Sequence, residues 1–171
     1  LKAYALAAYD VVAARPELAP TGVVVHGHSL GSFVAASVAD ARPVRGLVLQ
    51  SSATTPGDWM RGFFRPSTFK WWARPAYPFM RVTLDPVLAE EDNVARVRRY
   101  RGPLLVLVGE EDTKTAPAMS RALAEASATP DSIKRLAVLP GSGHDDVLAN
   151  QNFAAVYEAF VRLAAGASRP R

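Results

Sequence analysis

Ser29 has the surroundings that a catalytic serine needs. It lies in the segment Gly27-His28-Ser29-Leu30-Gly31, after the run Val23-Val24-Val25-His26 and before residues with helical spacing. A serine in such a strand-to-helix turn takes a strained backbone conformation that lifts its hydroxyl clear of the sheet. We expect that a Cβ at Gly27 or Gly31 would collide with the neighbouring strand or helix. The N–H of Leu30, at the helix start, could then donate to an oxyanion.

A base and an acid for this serine follow later in the chain. A serine hydroxyl is a poor nucleophile at neutral pH, so it needs a base, and the base needs an acid that orients it. His144 follows the apolar segment 134–139, and Asp112 follows the apolar segment 103–109. Because the carboxyl ends of parallel strands share one edge of a sheet, we predict that Ser29, Asp112 and His144 converge there.

Other acids and histidines near these positions have simpler interpretations. Glu111 is the alternative acid, since it precedes Asp112 directly. Asp145 and Asp146 beside the histidine are interpreted as solvated residues or as caps of the last helix. His28 is interpreted as a spacer that faces the substrate pocket, and His26 as a packing residue.

Apolar patterning predicts the elements that position these residues. Strands are predicted over 23–26, 44–50, 103–109 and 134–139, and helices over 1–14, from the turn to about 41, from 115 or 116 to before 130, and through 153–163. Strands that alternate with helices at this spacing form right-handed crossovers. The fold class is therefore α/β, with a parallel sheet of about four strands flanked by helices.

Residues 56–101 interrupt this pattern. They are rich in aromatic residues and prolines, and a structureless loop of this length is improbable in a compact domain, so we expect short helices that form a cap. Trp59, Phe63, Trp71 and Trp72, together with His28, are candidates for the wall of an apolar substrate pocket. The alternative is that these aromatic residues form the core of the cap itself.

The three candidate segments resemble those of the α/β-hydrolase superfamily. Gly27 to Gly31 resembles its nucleophile elbow, the Gly-x-Ser-x-Gly turn; Gly109 to Asp112, with Pro117 after it, resembles its strand-end Gly-x-x-Asp; and Ser142 to His144 resembles its Gly-His segment. The chain order Ser, Asp, His is also that of the superfamily. Ser32 is a departure, because many members carry another glycine there. The resemblance implies a helical cap inserted after the strand that follows the elbow.

The resemblance covers only the carboxyl half of the family's domain. It implies further strands before residue 1, and a second oxyanion donor from a loop among them, whose loss typically lowers the rate about 100- to 1000-fold. The chain opens with Leu1 and looks like a fragment or a processed chain. We therefore expect one domain over 1–171 without those strands, with the cap at about 56–101. The strand at 23–26 would then be an exposed edge that could pair with another chain or with the missing segment.

Composition excludes several function classes. The 171 residues are 49% hydrophobic and 21% charged, which is typical of a soluble globular domain. There is no cysteine, and the three histidines lie in two places, so we expect no metal site and no cofactor. The net charge of +4 includes arginines at 96, 98, 99 and 101, which we interpret as a solvated helix face and not a nucleic-acid surface. No membrane span is expected. The compartment stays open, with the cytoplasm favoured.

The predicted function is that of a serine hydrolase acting on a small acyl ester or thioester. Ser29 would form an acyl-enzyme, His144 would act as base and then as acid, Asp112 would orient His144, and Leu30 would supply part of the oxyanion hole. The alternative is a noncatalytic fragment or interaction module that keeps the fold without turnover. A peptidase, or acyl transfer to an acceptor other than water, is also consistent with these residues.

Overall fold

The computed structural model describes residues 1–18, 20–64, 71–80 and 83–167, apart from the side chains of Phe63 and Ala73. The helices are α1 (Lys2–Ala13), α2 (Gly31–Ala41), α3 (Pro56–Phe63), α4 (Pro86–Ala89), α5 (Asn93–Arg99), α6 (Pro117–Ala126) and α7 (Phe153–Gly166). The strands are β1 (Val24–His28), β2 (Gly46–Gln50), β3 (Leu104–Gly109) and β4 (Lys134–Leu139), and short 3₁₀ helices lie at Trp71–Phe79, Asp131–Ile133 and Val147–Ala149. None of these helices is both long and apolar enough to cross a membrane.

The four strands form one parallel sheet in the order β1-β2-β3-β4, which confirms the predicted fold class. β1 runs two residues further than predicted, because Gly27 and His28 still pair with Leu49 and Gln50. β2 begins at Gly46 and not at Val44, although Val44 is buried. An apolar pattern reports burial and not strand pairing, so it misplaces strand ends by a residue or two.

The core lies on both faces of the sheet. Alternate residues of β2 and β3 pack against α2, α5 and α6 on one face, where Val97 and Leu123 are fully buried. The other residues of the same strands pack against α7, chiefly against Phe160. Because both faces are covered, β2 and β3 are buried along their whole length, as expected for the central strands of a parallel sheet.

The described residues of segment 56–101 form short helices. The three α-helices among them are each capped by a side chain: Thr55 accepts from the N–H of Asp58, Asp85 from the N–H of Val87, and Asp92 from the N–H of Ala95. The last of them, α5, is part of the main core, since Val97 packs with the residues of β3 and α6. That the rest of this segment forms a cap over a substrate pocket stays a prediction.

Polar contacts hold α1, which has no buried residue, against the rest of the fold. Arg42 makes a bidentate pair with Asp10 at 2.7 and 2.8 Å. At the start of the helix, Lys2 forms an ion pair with Glu91. Glu91 is 5% exposed, and its other oxygen lies 2.6 Å from the guanidinium of Arg96. The Glu91 carboxylate therefore joins α1 to α5.

We expect Glu91→Gln to lower the free energy of unfolding at pH 7 by about 2 kcal/mol, the value of a charged hydrogen bond. Burial raises the pKa of the Glu91 carboxyl, but hydrogen bonds from Lys2 and Arg96 outweigh it and hold the pKa below its ordinary 4.5. A lowered pKa stabilises the fold above pH 4.5, and this contribution is lost as pH falls through the folded-state pKa. Urea unfolding should show that the difference in free energy of unfolding between variant and parent is smaller in acid than at pH 7. The exposed neighbour Glu90 offers the control, since Glu90→Gln should have the parent's free energy of unfolding at both pH values. If Glu91→Gln destabilises the chain as much in acid as at pH 7, the stabilising role of the Glu91 carboxylate is contradicted.

Candidate active site

Ser29 lies on the turn between β1 and α2 with a φ of 54°. Left-handed backbone is unfavourable for a residue with a Cβ, by roughly 1 to 2 kcal/mol. The turn is held from both sides, because the N–H of Ser29 donates to the carbonyl of Gln50 at 2.9 Å, and the carbonyl of Ser29 accepts from the N–H of Ser32 at 3.0 Å. Leu30 precedes the first helical residue, a position at which backbone N–H groups have no acceptor within the helix.

The two glycines of the elbow differ. A Cβ at Gly27 would lie 2.5 Å from the carbonyl oxygen of Gly31 and 2.6 Å from Cβ of Ala35, so the expected collision is present there. At Gly31 the expectation is wrong, since a Cβ would meet nothing within 4 Å among the described residues. Gly31 is the first residue of α2, and it is exposed. Of these two glycines, Gly27 is therefore the one that permits the close approach of α2 to β1.

Ser29, His144 and Asp112 form an unbroken chain of hydrogen bonds. Nε2 of His144 lies 2.9 Å from Oγ of Ser29, and Nδ1 lies 2.9 and 3.0 Å from the two carboxylate oxygens of Asp112. His144 is 8% exposed and Asp112 is 2% exposed. A carboxylate at Nδ1 fixes the tautomer in which Nδ1 carries the proton, so the Nε2 lone pair is free to accept the proton of Ser29.

Further donors hold the Asp112 carboxylate in place. Oδ1 accepts from the N–H groups of Lys114 and Thr115 at 2.9 and 2.8 Å, and Oδ2 accepts from the hydroxyl of Thr115 at 2.8 Å. The Thr115 hydroxyl also lies 3.2 Å from Nδ1 of His144. Sequence reasoning missed Thr115, although an aspartate in a loop commonly accepts from the backbone N–H two residues further on and so forms a turn there. Thr115 is 1% exposed and touches both partners, so it helps to orient them.

The histidine loop packs tightly against the end of β3. A Cβ at Gly109 would lie 2.3 Å from the carbonyl oxygens of Ser142 and Gly143, and the N–H of Glu111 donates to Ser142 at 2.8 Å. The alternative acid Glu111 is exposed at this point. This contact between backbones brings His144 within reach of Asp112.

Asp145 and Asp146 take other roles. Asp145 forms a 2.5 Å ion pair with Lys114, which lowers the pKa of its carboxyl. Asp146 accepts from the N–H of Gly143 at 2.6 Å and so closes the histidine loop. Neither of them caps the last helix, because the N-cap of α7 is Asn152.

The two histidines that flank the turn also have polar partners. Nε2 of His28 donates to the backbone carbonyl of His144 at 3.1 Å and so contacts the histidine loop. Nε2 of His26 lies 2.9 Å from Oε1 of Gln50, and its ring lies 5.6 Å from the ring of Tyr157. Burial lowers the pKa of the His26 imidazole and so favours the neutral ring, although the hydrogen bond to Gln50 acts in the opposite direction.

Among the described residues, one set could hold a metal ion. His28, His144 and Asp145 each bring a ligand atom within 4.8 Å of the others. These groups are already occupied: His144 by Ser29, Asp145 by Lys114 and His28 by a carbonyl. The expectation of no metal and no cofactor stays a prediction.

The aromatic candidates for the substrate pocket are mostly exposed as far as their side chains are described. Trp71 and Trp72 are 79% and 66% exposed, and Trp59 is half-buried in α3. The side chain of Phe63 lies outside the described residues. A cavity of about 710 Å³ between α3 and the 3₁₀ helix is lined by Gly57, Met60, Arg61, Phe64, Tyr77, Pro78, Met80 and Leu84, and by none of the three candidates whose side chains are described. Their role in substrate binding stays a prediction.

A parallel sheet, with a serine in the left-handed backbone region on a strand-to-helix turn, defines a class of fold in which hydrolases are common. The chain belongs to the alpha/beta hydrolase family, whose family model matches residues 2–159.

The chain is also similar to individual proteins. An uncharacterized protein of Mycobacterium tuberculosis (strain H37Rv) is 30% identical over 146 residues, which cover 85% of this chain and 46% of the relative. The chain thus spans about half the length of the curated relatives that it matches.

Solved structures share the fold at low sequence identity. Acetyl xylan esterase 1 from Thermoanaerobacterium is 19% identical with a TM-score of 0.66, over 95% of this chain and 51% of that chain. Proline iminopeptidase from Mycobacterium smegmatis is 16% identical with a TM-score of 0.69, over 94% and 71%. Monoacylglycerol lipase from Paleococcus ferrophilus is 20% identical with a TM-score of 0.60, over 98% and 76%. At these identities the likeness shows the fold.

Proposed function

We propose that this chain carries the catalytic triad of a serine hydrolase that acts on acyl esters or thioesters. The observation that carries the proposal is the chain of contacts from Ser29 Oγ to His144 Nε2 and from His144 Nδ1 to Asp112, with both distances at 2.9 Å. A buried carboxylate, an oriented imidazole and a strained serine are the groups that nucleophilic acyl transfer requires.

The reaction would proceed in two halves. His144 takes the proton of Ser29 as the hydroxyl oxygen attacks the substrate carbonyl, and the N–H of Leu30 donates to the oxyanion that forms. The imidazolium, stabilised by Asp112, then protonates the leaving alcohol or thiol, which departs and leaves an acyl-enzyme on Ser29. In the second half His144 takes a proton from water as the water oxygen attacks the acyl carbonyl. The tetrahedral intermediate then collapses, His144 returns the proton to Oγ of Ser29, and the carboxylic acid is released.

An ester or thioester is preferred to an amide on the available comparisons. Two of the three solved structures named above are, by name, an esterase and a lipase, and the third is a peptidase. Acyl transfer to an acceptor other than water uses the same acyl-enzyme, and it would appear as a product that depends on added alcohol or amine.

A second candidate, a noncatalytic interaction module, is favoured by one observation. Within the described sheet β1 pairs on one side only, with β2. An apolar groove of about 780 Å³ runs between α1, β1 and α2, and reaches His28 and Leu30 beside Ser29. An unpaired strand beside an apolar groove is a surface on which another strand can dock. This candidate predicts a folded chain without turnover.

The two candidates are separated by covalent labelling of the purified chain with a fluorophosphonate, which reacts with activated serines. We expect an adduct on Ser29, located by peptide mass spectrometry, and none on the His144→Ala chain. Ser29→Ala serves as the blank and Ser37→Ala as a matched control in α2, since in the described part of the chain the hydroxyl of Ser37 bonds within that helix, to the carbonyl of Phe33. A chain that keeps its α/β circular dichroism but shows no adduct would reject catalysis in favour of the interaction module.

A further inference from the structure

A fully buried cluster of three polar residues lies beneath the elbow. Ser32, Ser52 and Asn93 are each 0% exposed, and they come from α2, from the segment after β2 and from the start of α5. Asn93 and Ser32 are 61 residues apart in the chain. Burying an amide and two hydroxyls is unfavourable unless their hydrogen bonds are made. We call these residues the elbow cluster.

The hydrogen bonds of the elbow cluster run in one direction. The amide Nδ2 of Asn93 donates at 3.1 Å towards Oγ of Ser52, Oγ of Ser32 and the carbonyl of Ala53. The hydroxyl of Ser52 donates to Oγ of Ser32 at 2.8 Å. The hydroxyl of Ser32 donates to the carbonyl of Ser29 at 2.6 Å, so the chain of donors ends on the backbone of the candidate nucleophile. Successive hydrogen bonds of this kind polarise one another.

Asn93 also fixes the backbone from which the other members come. Its N–H donates to the carbonyl of Thr54 at 3.0 Å, which ties the start of α5 to the segment that leaves β2. Within the described residues, Oδ1 of Asn93 has no hydrogen-bond partner although it is buried. The donor side of the amide is thus the side that the cluster uses.

The Ser29 carbonyl belongs to the same peptide unit as the N–H of Leu30. In a trans peptide these two groups point in opposite directions, and no cis peptide occurs in the described chain. Two donors, the N–H and the hydroxyl of Ser32, hold the carbonyl towards the buried cluster. The N–H of Leu30 is therefore held pointing away from the cluster, on the side of the peptide where an oxyanion would form.

We propose that Asn93, Ser52 and Ser32 are positioning residues that orient the oxyanion donor of Leu30 through the Ser29–Leu30 peptide. The inference rests on the proposed function and extends it. It links Asn93, at the start of α5, to the backbone group that would form the oxyanion hole. Because the cluster is fully buried, it would act without touching a substrate. It acts by preventing the peptide from rotating when negative charge develops on the bound carbonyl, so its effect falls on the transition state and not on substrate binding.

The test compares Ser32→Ala with Ser37→Ala, two hydroxyl deletions in the same helix of which only the first breaks the cluster. With an ester that the parent hydrolyses, we expect Ser32→Ala to lower kcat about tenfold with KM unchanged, the effect of losing one oriented hydrogen bond. Fluorophosphonate labelling of Ser29 should slow by the same factor, and Ser37→Ala should equal the parent in both assays. A Ser32→Ala chain with a lowered melting temperature but the parent's kcat and labelling rate would overturn the proposal, since the cluster would then serve stability alone.

Asn93→Ala tests whether the effect passes along the cluster. If Asn93 acts through Ser32, the double variant Ser32→Ala/Asn93→Ala should be no slower than the slower single variant. Rates that multiply would overturn this route.

A measurement that does not depend on activity tests this inference separately from the proposed function. If the parent chain fails to react with the fluorophosphonate, the proposed function fails, and the ¹³C′ chemical shift of the Ser29 carbonyl then decides the inference. We expect that shift to move in Ser32→Ala and in Asn93→Ala and to stay at the parent value in Ser37→Ala. An unchanged shift in Asn93→Ala would overturn the coupling.

Discussion

Replacing Asp112 by asparagine is expected to lower kcat for ester hydrolysis by about 10,000-fold while leaving the fold intact. The carboxylate now accepts from the N–H groups of Lys114 and Thr115, from the hydroxyl of Thr115 and from Nδ1 of His144. An amide in this place keeps its oxygen towards the backbone donors and turns its NH₂ group towards Nδ1. The imidazole then carries its proton on Nε2, where it cannot accept the proton of Ser29. Steady-state kinetics together with circular dichroism check this result.

Glu111→Gln is the matched control for this substitution. Glu111 is the adjacent acid that the sequence offers as an alternative, and its side chain is exposed. We expect the Glu111→Gln chain to keep the parent's kcat. The assignment of the acid is contradicted if Glu111→Gln is the slow variant and Asp112→Asn is not.

Gly27→Ala is expected to prevent the chain from folding. The new methyl group would lie 2.5 Å from the carbonyl oxygen of Gly31 and 2.6 Å from Cα of Ser32 and Cβ of Ala35, and the first two of these are backbone atoms. The overlap can be relieved only by moving α2 away from β1, which would open the core around Ala35. We expect a loss of more than about 4 kcal/mol in the free energy of unfolding, beyond the usual range for one substitution.

The matched control is Gly31→Ala, because both positions are glycines of the same turn and both variants add one methyl group. At Gly31 that methyl group meets nothing within 4 Å in the described part of the chain. Thermal unfolding followed by circular dichroism should show a melting temperature close to the parent's for Gly31→Ala and no cooperative transition for Gly27→Ala. Equal stability of the two variants would disprove the asymmetry.

The sequence predicts the three central residues of the site better than the residues that orient them. Apolar runs separated by helical patterns are enough to predict a parallel sheet, and the sheet then places Ser29, Asp112 and His144 at one edge. The structure brings these three side chains together at hydrogen-bond distances. Sequence alone suffices here because the strands carry the positional information, and a buried strand leaves a short continuous apolar run between turn residues.

The residues that orient the site depend on side-chain directions that periodicity does not encode. Ser32 is read from the sequence only as a small residue that permits helix packing, and its link to Asn93 crosses 61 positions and three segments. Thr115 and the open space at Gly31 were missed for the same reason, since each depends on what stands opposite in three dimensions. The aromatic residues of segment 56–101 have neither a period nor a strand to place them, so their role is the least determined by sequence.

The left-handed backbone of Ser29 also bears on how this protein can be engineered. At a φ of 54° a glycine would avoid the steric penalty that a Cβ brings, so stability considered by itself would favour glycine at this position. A thermostabilisation campaign that scores each residue only by folding energy would therefore replace Ser29 and with it the proposed nucleophile. Directed evolution of this chain needs a selection for chemistry beside the selection for heat resistance, because at Ser29 the two pull the sequence in opposite directions.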